Sequence, residues 1–269
     1  MESSRSILNR LFGLQGSVAV VAGGGGRIGR HLCRALGEAG AAVCVLDLDE
    51  AAATAAAEET RQQSGAATLA VAADVTVPSQ LAQTAARVAD KLGLPDILVN
   101  AVQFRGAGFY SSSAADYPPE IWNKVLDVNL SGVFFTCQVF GRMMAQRGGG
   151  AIVNLASTYG VVSPDPRIYG ASGVNSPPAY AASKAGVIQL TRYLAVHWRE
   201  QKIRVNCLVP GGVYDGQADD FVAEYCKRTP LARMADAEDY QGAVLFMVSP
   251  ASRYMTGAVL TVDGGWTAW

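Results

Sequence analysis

Residues 22–30 read Ala22-Gly23-Gly24-Gly25-Gly26-Arg27-Ile28-Gly29-Arg30: four consecutive glycines, an arginine, an isoleucine and a fifth glycine. Alone, such a run suits a flexible turn as well as a phosphate cradle. Its flanks separate the two. Upstream, Ser17-Val18-Ala19-Val20-Val21 is a short β-branched run that reads as a buried strand. Downstream, Leu32, Ala35, Leu36 and Ala39 recur at i, i+3, i+4 and i+7, the stripe of an amphipathic helix, and Gly40 supplies its stop. A strand, a glycine turn and a helix bring backbone N–H groups to a helix N-terminus, where a pyrophosphate binds.

The alternation continues along the chain. Strand-like runs at Val18–Ala22, 42–46, Thr68–Ala72, Ile97–Asn100, 151–155, 204–209 and Val259–Val262 are separated by helical stretches near 49–64, 79–92, 121–147, 178–201 and 236–247. Apolar strands without hairpin signals predict a parallel sheet covered by helices on both faces, a doubly wound α/β fold. Its ligands lie beyond the C-terminal ends of the strands. No linker or internal repeat divides the 269 residues, so one domain is expected.

Composition excludes several function classes. Half the residues are hydrophobic, enough for a large core, and the net charge of −1 comes without any basic run that would meet nucleic acid or an acidic membrane. No window approaches a membrane span, and the N-terminus leads into no signal-type apolar stretch. The five cysteines (Cys33, Cys44, Cys137, Cys207, Cys226) are scattered and never in C-x-x-C spacing. They read as small reduced core residues, which agrees with a cytoplasmic location. With only His31 and His197, no protein-bound catalytic metal is expected.

Two further features carry chemistry. Asp47 ends the second strand at the offset of a ribose-binding acid; such a carboxylate accepts from both adenosine ribose hydroxyls and repels a 2′-phosphate, which favours NAD. The alternative is an aspartate that merely opens a turn. In Ser176-Pro177-Pro178-Ala179-Tyr180-Ala181-Ala182-Ser183-Lys184, the serine suits an N-cap and proline suits the first turn, so Tyr180 and Lys184 fall at i and i+4 on one helix face. A nearby ammonium, together with an oxidised nicotinamide, would favour the phenolate and lower the tyrosine pKa from its ordinary value near 10. A lone Tyr-x-x-x-Lys is otherwise an ordinary surface pair.

From about Leu14 to Gly265 the chain resembles the short-chain dehydrogenase/reductase family. The pieces are the glycine loop, Asp74-Val75, Asn100, Val128-Asn129-Leu130, Ile152-Val153-Asn154-Leu155-Ala156-Ser157, the Tyr180/Lys184 pair, Asn206, Pro210-Gly211 and Val262-Asp263-Gly264-Gly265. The resemblance implies a single-domain Rossmann fold with seven parallel strands over residues 1–269. It has an N-terminal extension at 1–14, an inserted loop at 158–179 and a substrate-loop region at 211–234. It implies a catalytic tetrad: Tyr180 exchanges the hydroxyl proton and Ser157 binds the reacting oxygen. Lys184 holds the nicotinamide ribose and biases Tyr180, while Asn129 supports a water-mediated relay. Cofactor contacts are implied for Gly23, Gly26, Arg27, Ile28, Gly29, Asp47, Asp74, Val75, Asn100, Tyr180, Lys184, Pro210, Gly211 and Val213. It also implies a homotetramer, or a homodimer, with the Trp266-Thr267-Ala268-Trp269 tail near a neighbour's surface; local core packing is the other reading of that tail.

The departures from the family pattern set further expectations. Arg27 replaces the family's middle glycine; it covers the pyrophosphate or faces solvent. Gln103 stands near the nicotinamide pocket, and Asp215 falls where many members carry a threonine that contacts the carboxamide. The insertion Ser163-Pro164-Asp165-Pro166-Arg167-Ile168-Tyr169-Gly170-Ala171-Ser172-Gly173-Val174-Asn175-Ser176-Pro177-Pro178 bulges beside the active-site mouth, where Arg167, Tyr169 and Asn175 are expected to reach a polar substrate; a solvated loop is the alternative. The block Thr229-Pro230-Leu231-Ala232-Arg233-Met234 and the tryptophan-rich ending are similar to a subgroup associated with bacterial surface-glycan and nonulosonate sugars. The expected substrate is therefore a sugar, polyol or derivative, oxidised at a secondary alcohol. The alternatives are a ketone reductase of secondary or general metabolism and a non-catalytic NAD-binding regulator.

Overall fold

The computed structural model describes residues 6–110, 113–170 and 175–269. Seven parallel strands form one sheet: β1 (Val18–Ala22), β2 (Ala42–Asp47), β3 (Thr68–Ala72), β4 (Ile97–Asn100), β5 (Gly150–Leu155), β6 (Ile203–Pro210) and β7 (Val259–Val262), in the order β3-β2-β1-β4-β5-β6-β7. The order reverses between β1 and β4, so the crevice beyond their C-terminal ends is the ligand position of a doubly wound sheet.

The two-residue period of β1 shows how the core divides. Val18, Val20 and Ala22 pack on one face with Leu81, Phe140, Met144 and Val187, whereas Ala19 and Val21 pack on the other with Leu32, Leu36, Ala56 and Met247. The first face carries α4 (Pro78–Lys91), α6 (Val133–Arg147) and α7 (Pro178–His197); the second carries α2 (Arg27–Glu38), α3 (Glu50–Ser64) and α9 (Gln241–Val248). Helix α1 (Ile7–Phe12), inside the expected N-terminal extension, buries none of its residues and starts at a Ser6 cap. Helix α5 (Pro119–Leu126) precedes α6.

Several expected elements differ from those observed. The single helix expected at 121–147 is two helices, α5 and α6, joined through a widened π turn at Asp127–Gly132. Short π segments inside helices occur often at functional positions, and this one contains Asn129. Ser176 does not cap α7: the N-cap is Pro177, with no side-chain hydrogen bond, because Pro178 itself pre-forms the first turn. Helix α8 (Asp219–Arg228) occupies a region expected to be loop; two acids in its first turn and two bases in its last suit the helix dipole, although its apolar stripe is short. The helix expected at 236–247 opens as a tight turn at Ala237–Tyr240, fixed by a capping box between Asp236 and Asp239, before α9.

A buried polar ladder ties the central strands to α6 and α7. Thr136 Oγ1 donates to Asn100 Oδ1 (2.7 Å), Asn100 Nδ2 donates to Asn154 Oδ1 (2.9 Å), and Asn154 Nδ2 donates to Thr191 Oγ1 (3.0 Å). All four residues are buried, so each partner satisfies a group that would otherwise be desolvated without compensation. Asn154→Ala should therefore lower unfolding stability by about 2–4 kcal/mol, through lost volume and through the orphaned partners. Urea unfolding measures this, and a change within about 0.5 kcal/mol, the surface-substitution range, would show the ladder to be energetically idle.

Candidate active site

The strand ends meet around a cavity of about 1050 Å³ that runs from Asp47, Asp74 and Val75, past Gly23 and Gly26–Gly29, to Ser157, Tyr180 and Lys184. That volume lies at the top of the ~300–1,000 Å³ range of small-molecule sites. At its centre the glycine loop is backbone only. A Cβ on Gly29 would lie 2.0 Å from the Gly23 carbonyl oxygen, and Gly23 itself has φ +77°. The first turn of α2 therefore sits directly on the loop, with Gly26 as its N-cap and no capping side chain in front of its N–H groups. These features fit an anionic dinucleotide backbone.

At one end, Asp47 is held from two sides. Gly25 N–H donates to Oδ2 (2.9 Å) and Asp49 N–H donates to Oδ1 (3.1 Å), which fixes the carboxylate at the cavity wall. Asp74 is fixed likewise, accepting from the Thr76 N–H (2.8 Å) and hydroxyl (2.7 Å).

At the other end, β5 delivers Ser157 and α7 delivers Tyr180 and Lys184. The close approach requires Gly160: a Cβ there would lie 2.7 Å from the Lys184 carbonyl carbon. Ser157 and Tyr180 share the cavity wall, and Ser157 Oγ accepts from Tyr159 N–H (3.2 Å). Lys184 Nζ donates to the Leu155 carbonyl (2.9 Å) and lies 5.8 Å from the Tyr180 ring centre. Burial brings the Lys184 ammonium down to about 8.

The protein alone does not lower the Tyr180 pKa as the Tyr-Lys spacing suggested. Burial raises it, and the opposing influences are the Ser157 hydrogen bond and the Arg105 charge. Desolvation of a buried phenolate outweighs both. A cationic ring bound beside Tyr180 is the part of the expected effect that the chain does not supply.

Of the residues expected to contact the cofactor, all but Asn100 line this cavity, as do Ser157 and the departure positions Gln103 and Asp215. Asn100 and Asn129 do not. Asn100 spends its side chain on the buried ladder. Asn129 is fully buried; its Oδ1 accepts from Phe104 N–H (2.8 Å) and its Nδ2 donates to Ser183 Oγ (3.2 Å). In this arrangement it ties the loop after β4 to the second turn of α7.

Arg27 takes neither expected course alone. Its guanidinium crosses the cavity mouth, pairs with Asp215 and donates to the Tyr214 carbonyl (3.3 Å). The inserted loop also differs from expectation. Arg167 is exposed and forms a bidentate pair with Asp165, which Arg228 also contacts, so Arg167 and Asn175 stay out of the cavity while Tyr169 enters it. The block 171–174 of that loop lies outside the described residues. In the tail, Trp266 stacks on Tyr225 (4.3 Å) inside a local cluster, whereas Trp269 is exposed. Sequence reading missed the aromatic wall of Phe104, Phe109, Tyr110, Tyr159 and Phe221, which come from three separated segments. The one available signal was the crowding of Phe104, Phe109 and Tyr110 just after β4.

Comparison with known proteins agrees with this geometry. Residues 24–267 match a family model described as enoyl-(acyl carrier protein) reductase. The chain is 37% identical to a galactitol 2-dehydrogenase (L-tagatose-forming) of Cereibacter sphaeroides, over 96% of this chain and 98% of that protein. Among solved structures, a gluconate 5-dehydrogenase from Burkholderia cenocepacia J2315 in complex with NADP and tartrate superposes with a TM-score of 0.86 at 32% identity, covering 97% of this chain and 99% of that one. A short-chain dehydrogenase from Leptospira borgpetersenii with bound NAD+ gives 0.83 at 33% identity, covering 99% and 98%. No helix among the described residues is long and apolar enough to cross a membrane.

Lys184 makes a stability test possible. Below about pH 8 the folded chain bears the full cost of a buried ammonium, and above the ordinary lysine value of 10.5 neither state is charged and the cost vanishes. Lys184→Met should thus stabilise the fold by about 1–3 kcal/mol at pH 7 while abolishing turnover, and the gain should shrink between pH 8 and 10.5. Urea unfolding at several pH values decides it. A variant less stable than wild type at pH 7 would mean that the hydrogen bond to Leu155 outweighs desolvation.

Proposed function

The chain belongs to the short-chain dehydrogenase/reductase family and is an oxidoreductase of CH–OH groups, and from that premise we propose that it interconverts a secondary alcohol and a ketone on a polyol or sugar derivative with NAD(H). The observation that carries the reading is that Ser157, Tyr180 and Lys184 line one cavity, with the Lys184 ammonium 5.8 Å from the Tyr180 ring centre. A protein that only bound the cofactor would need neither Ser157 nor Tyr180, so the non-catalytic alternative gives way.

The glycine loop, Asp47, Asp74 and Val75 would hold the adenosine and pyrophosphate; Lys184, Pro210, Gly211 and Val213 would hold the nicotinamide end. The chemistry the dinucleotide supplies is acceptance of a hydride from the carbinol carbon. Tyr180 takes the hydroxyl proton, and the Ser157 hydroxyl holds the same oxygen. Lys184, anchored on Leu155, keeps a positive charge beneath the Tyr180 ring side and thereby opposes the cost of charging the buried phenol. Aromatic side chains over the catalytic end exclude water and present flat faces to the C–H faces of a sugar chain.

Asp47 supports NAD over NADP. Its carboxylate is immobilised by two backbone N–H groups, and Arg27, a cation of the same cavity, is paired with Asp215. The galactitol dehydrogenase likeness supports the polyol class. We also read the protein as a cytoplasmic homo-oligomer, a tetramer or a dimer.

Tyr180→Phe should reduce turnover of an alditol by about 10²–10⁴-fold or more, the scale of a lost general acid–base, with NAD affinity close to wild type. Near-normal turnover would remove Tyr180 from the mechanism. Titration of intrinsic fluorescence should show tighter NAD than NADP binding, and Asp47→Ser should narrow the gap. Tighter NADP binding in the wild type would overturn the ribose assignment.

A further inference from the structure

The loop after β4 carries a charge that the reaction outlined above does not use. Its position is over-determined: Phe104 N–H is held by Asn129 (2.8 Å), Phe109 N–H closes a turn on Gly106 (3.1 Å), and the buried Phe109 ring meets Tyr180 edge-to-face at 5.9 Å. Between these anchors stands Arg105, which lines the cavity with the catalytic groups.

Among the described residues Arg105 shares the one carboxylate it approaches. Arg27 pairs directly with Asp215, while Arg105 Nη1 stays 3.6 Å away, beyond hydrogen-bonding distance. Among the described residues its guanidinium makes no hydrogen bond, and its side chain is 59% exposed within the cavity mouth. The other carboxylate on this side, Asp220, accepts from its own helix start at Phe221 N–H (2.8 Å). The described lining of the catalytic end therefore holds three cations, Arg27, Arg105 and Lys184, against two carboxylates, Asp215 and Asp220. The unmatched cation faces the substrate end: its field reaches both Tyr180 and Lys184.

We propose that Arg105 is a specificity residue that binds an anionic group on the substrate, so that the preferred substrate is a hydroxy acid of the sugar series, an aldonate, and not the neutral alditol. The guanidinium fork matches a carboxylate bidentately, and such a contact would replace the loose one to Asp215. The inference rests on the polyol and sugar-derivative reading for the carbon chain and adds the charge at its end.

The test compares D-galactonate with galactitol, which differ in the charged terminus, as ligands of the enzyme–NADH complex, read by quenching of bound NADH fluorescence. The wild type should bind galactonate about tenfold or more tightly than galactitol, the size of one charge-assisted contact. Arg105→Gln should bring the ratio near one, and Arg105→Lys should keep part of it; retained NADH fluorescence shows that each variant is folded. Equal binding, binding of neither ligand, a preference for galactitol, or a ratio that Arg105→Gln leaves intact overturns the proposal. Turnover separates this outcome from the broader reading. An enzyme that prefers galactonate through Arg105 but oxidises neither ligand overturns the polyol reading alone, and one that oxidises galactitol without any preference overturns the Arg105 assignment alone.

Discussion

The site depends on how closely α7 approaches the end of β5. Gly160 lies against the Lys184 backbone where no Cβ fits, and from that contact the catalytic geometry follows. Lys184 reaches the Leu155 carbonyl, Tyr180 stands with Ser157 on the cavity wall, and two turns beyond Lys184 Thr191 meets Asn154. A helix displaced by the width of one methyl group would lose both hydrogen bonds together. Misplacement on that scale is costly to an oriented reaction, because proximity of the reacting groups supplies much of the rate. The buried ladder from Thr136 to Thr191 leaves little latitude between the central sheet and α7.

Electrostatically, the cavity has two ends of different character. One end presents Asp47 and Asp74, each pinned by neighbouring donors and suited to accept from hydroxyls. The catalytic end is cationic and partly desolvated. Burial opposes charge on both Tyr180 and Lys184, so the protein alone keeps a neutral phenol beside a weakened ammonium. Such a site is held at a cost to stability, as sites retained for function often are.

Arg27 and Asp215 replace two residues that the family pattern leads one to expect, and they replace them as a pair. The guanidinium spans from the first turn of α2 to the loop after β6, and Arg105 approaches the same carboxylate from the loop after β4. Read separately, each substitution weakens a cofactor contact. Together they connect the three loops that surround the catalytic end. Neither half of the pair has a meaning without the other, and 187 residues separate Arg27 from its backbone partner at Tyr214.

Local information determined the sheet. The β-branched runs of β1, β3, β4 and β7 end where their composition ends, the glycine turn of residues 23–26 has a conformation that other residues resist, and the stripe of α2 is plain in Leu32 and Leu36. The Tyr180/Lys184 spacing likewise follows from helix period alone. Tertiary structure decided everything that depends on partners distant in the chain. Asn100 was legible as a strand-end residue, but only the fold shows that Thr136 and Asn154 occupy its amide. Arg167 was legible as a polar residue near the mouth, but its fork closes on Asp165 instead. Helix α8 has only a short apolar stripe, and what it packs on, Trp266 against Tyr225, lies forty-one residues away. The direction of the Tyr180 pKa followed burial, which no spacing encodes. Periodicity and turn chemistry are local and can be read along the chain, whereas desolvation and pairing are set by what the fold brings near.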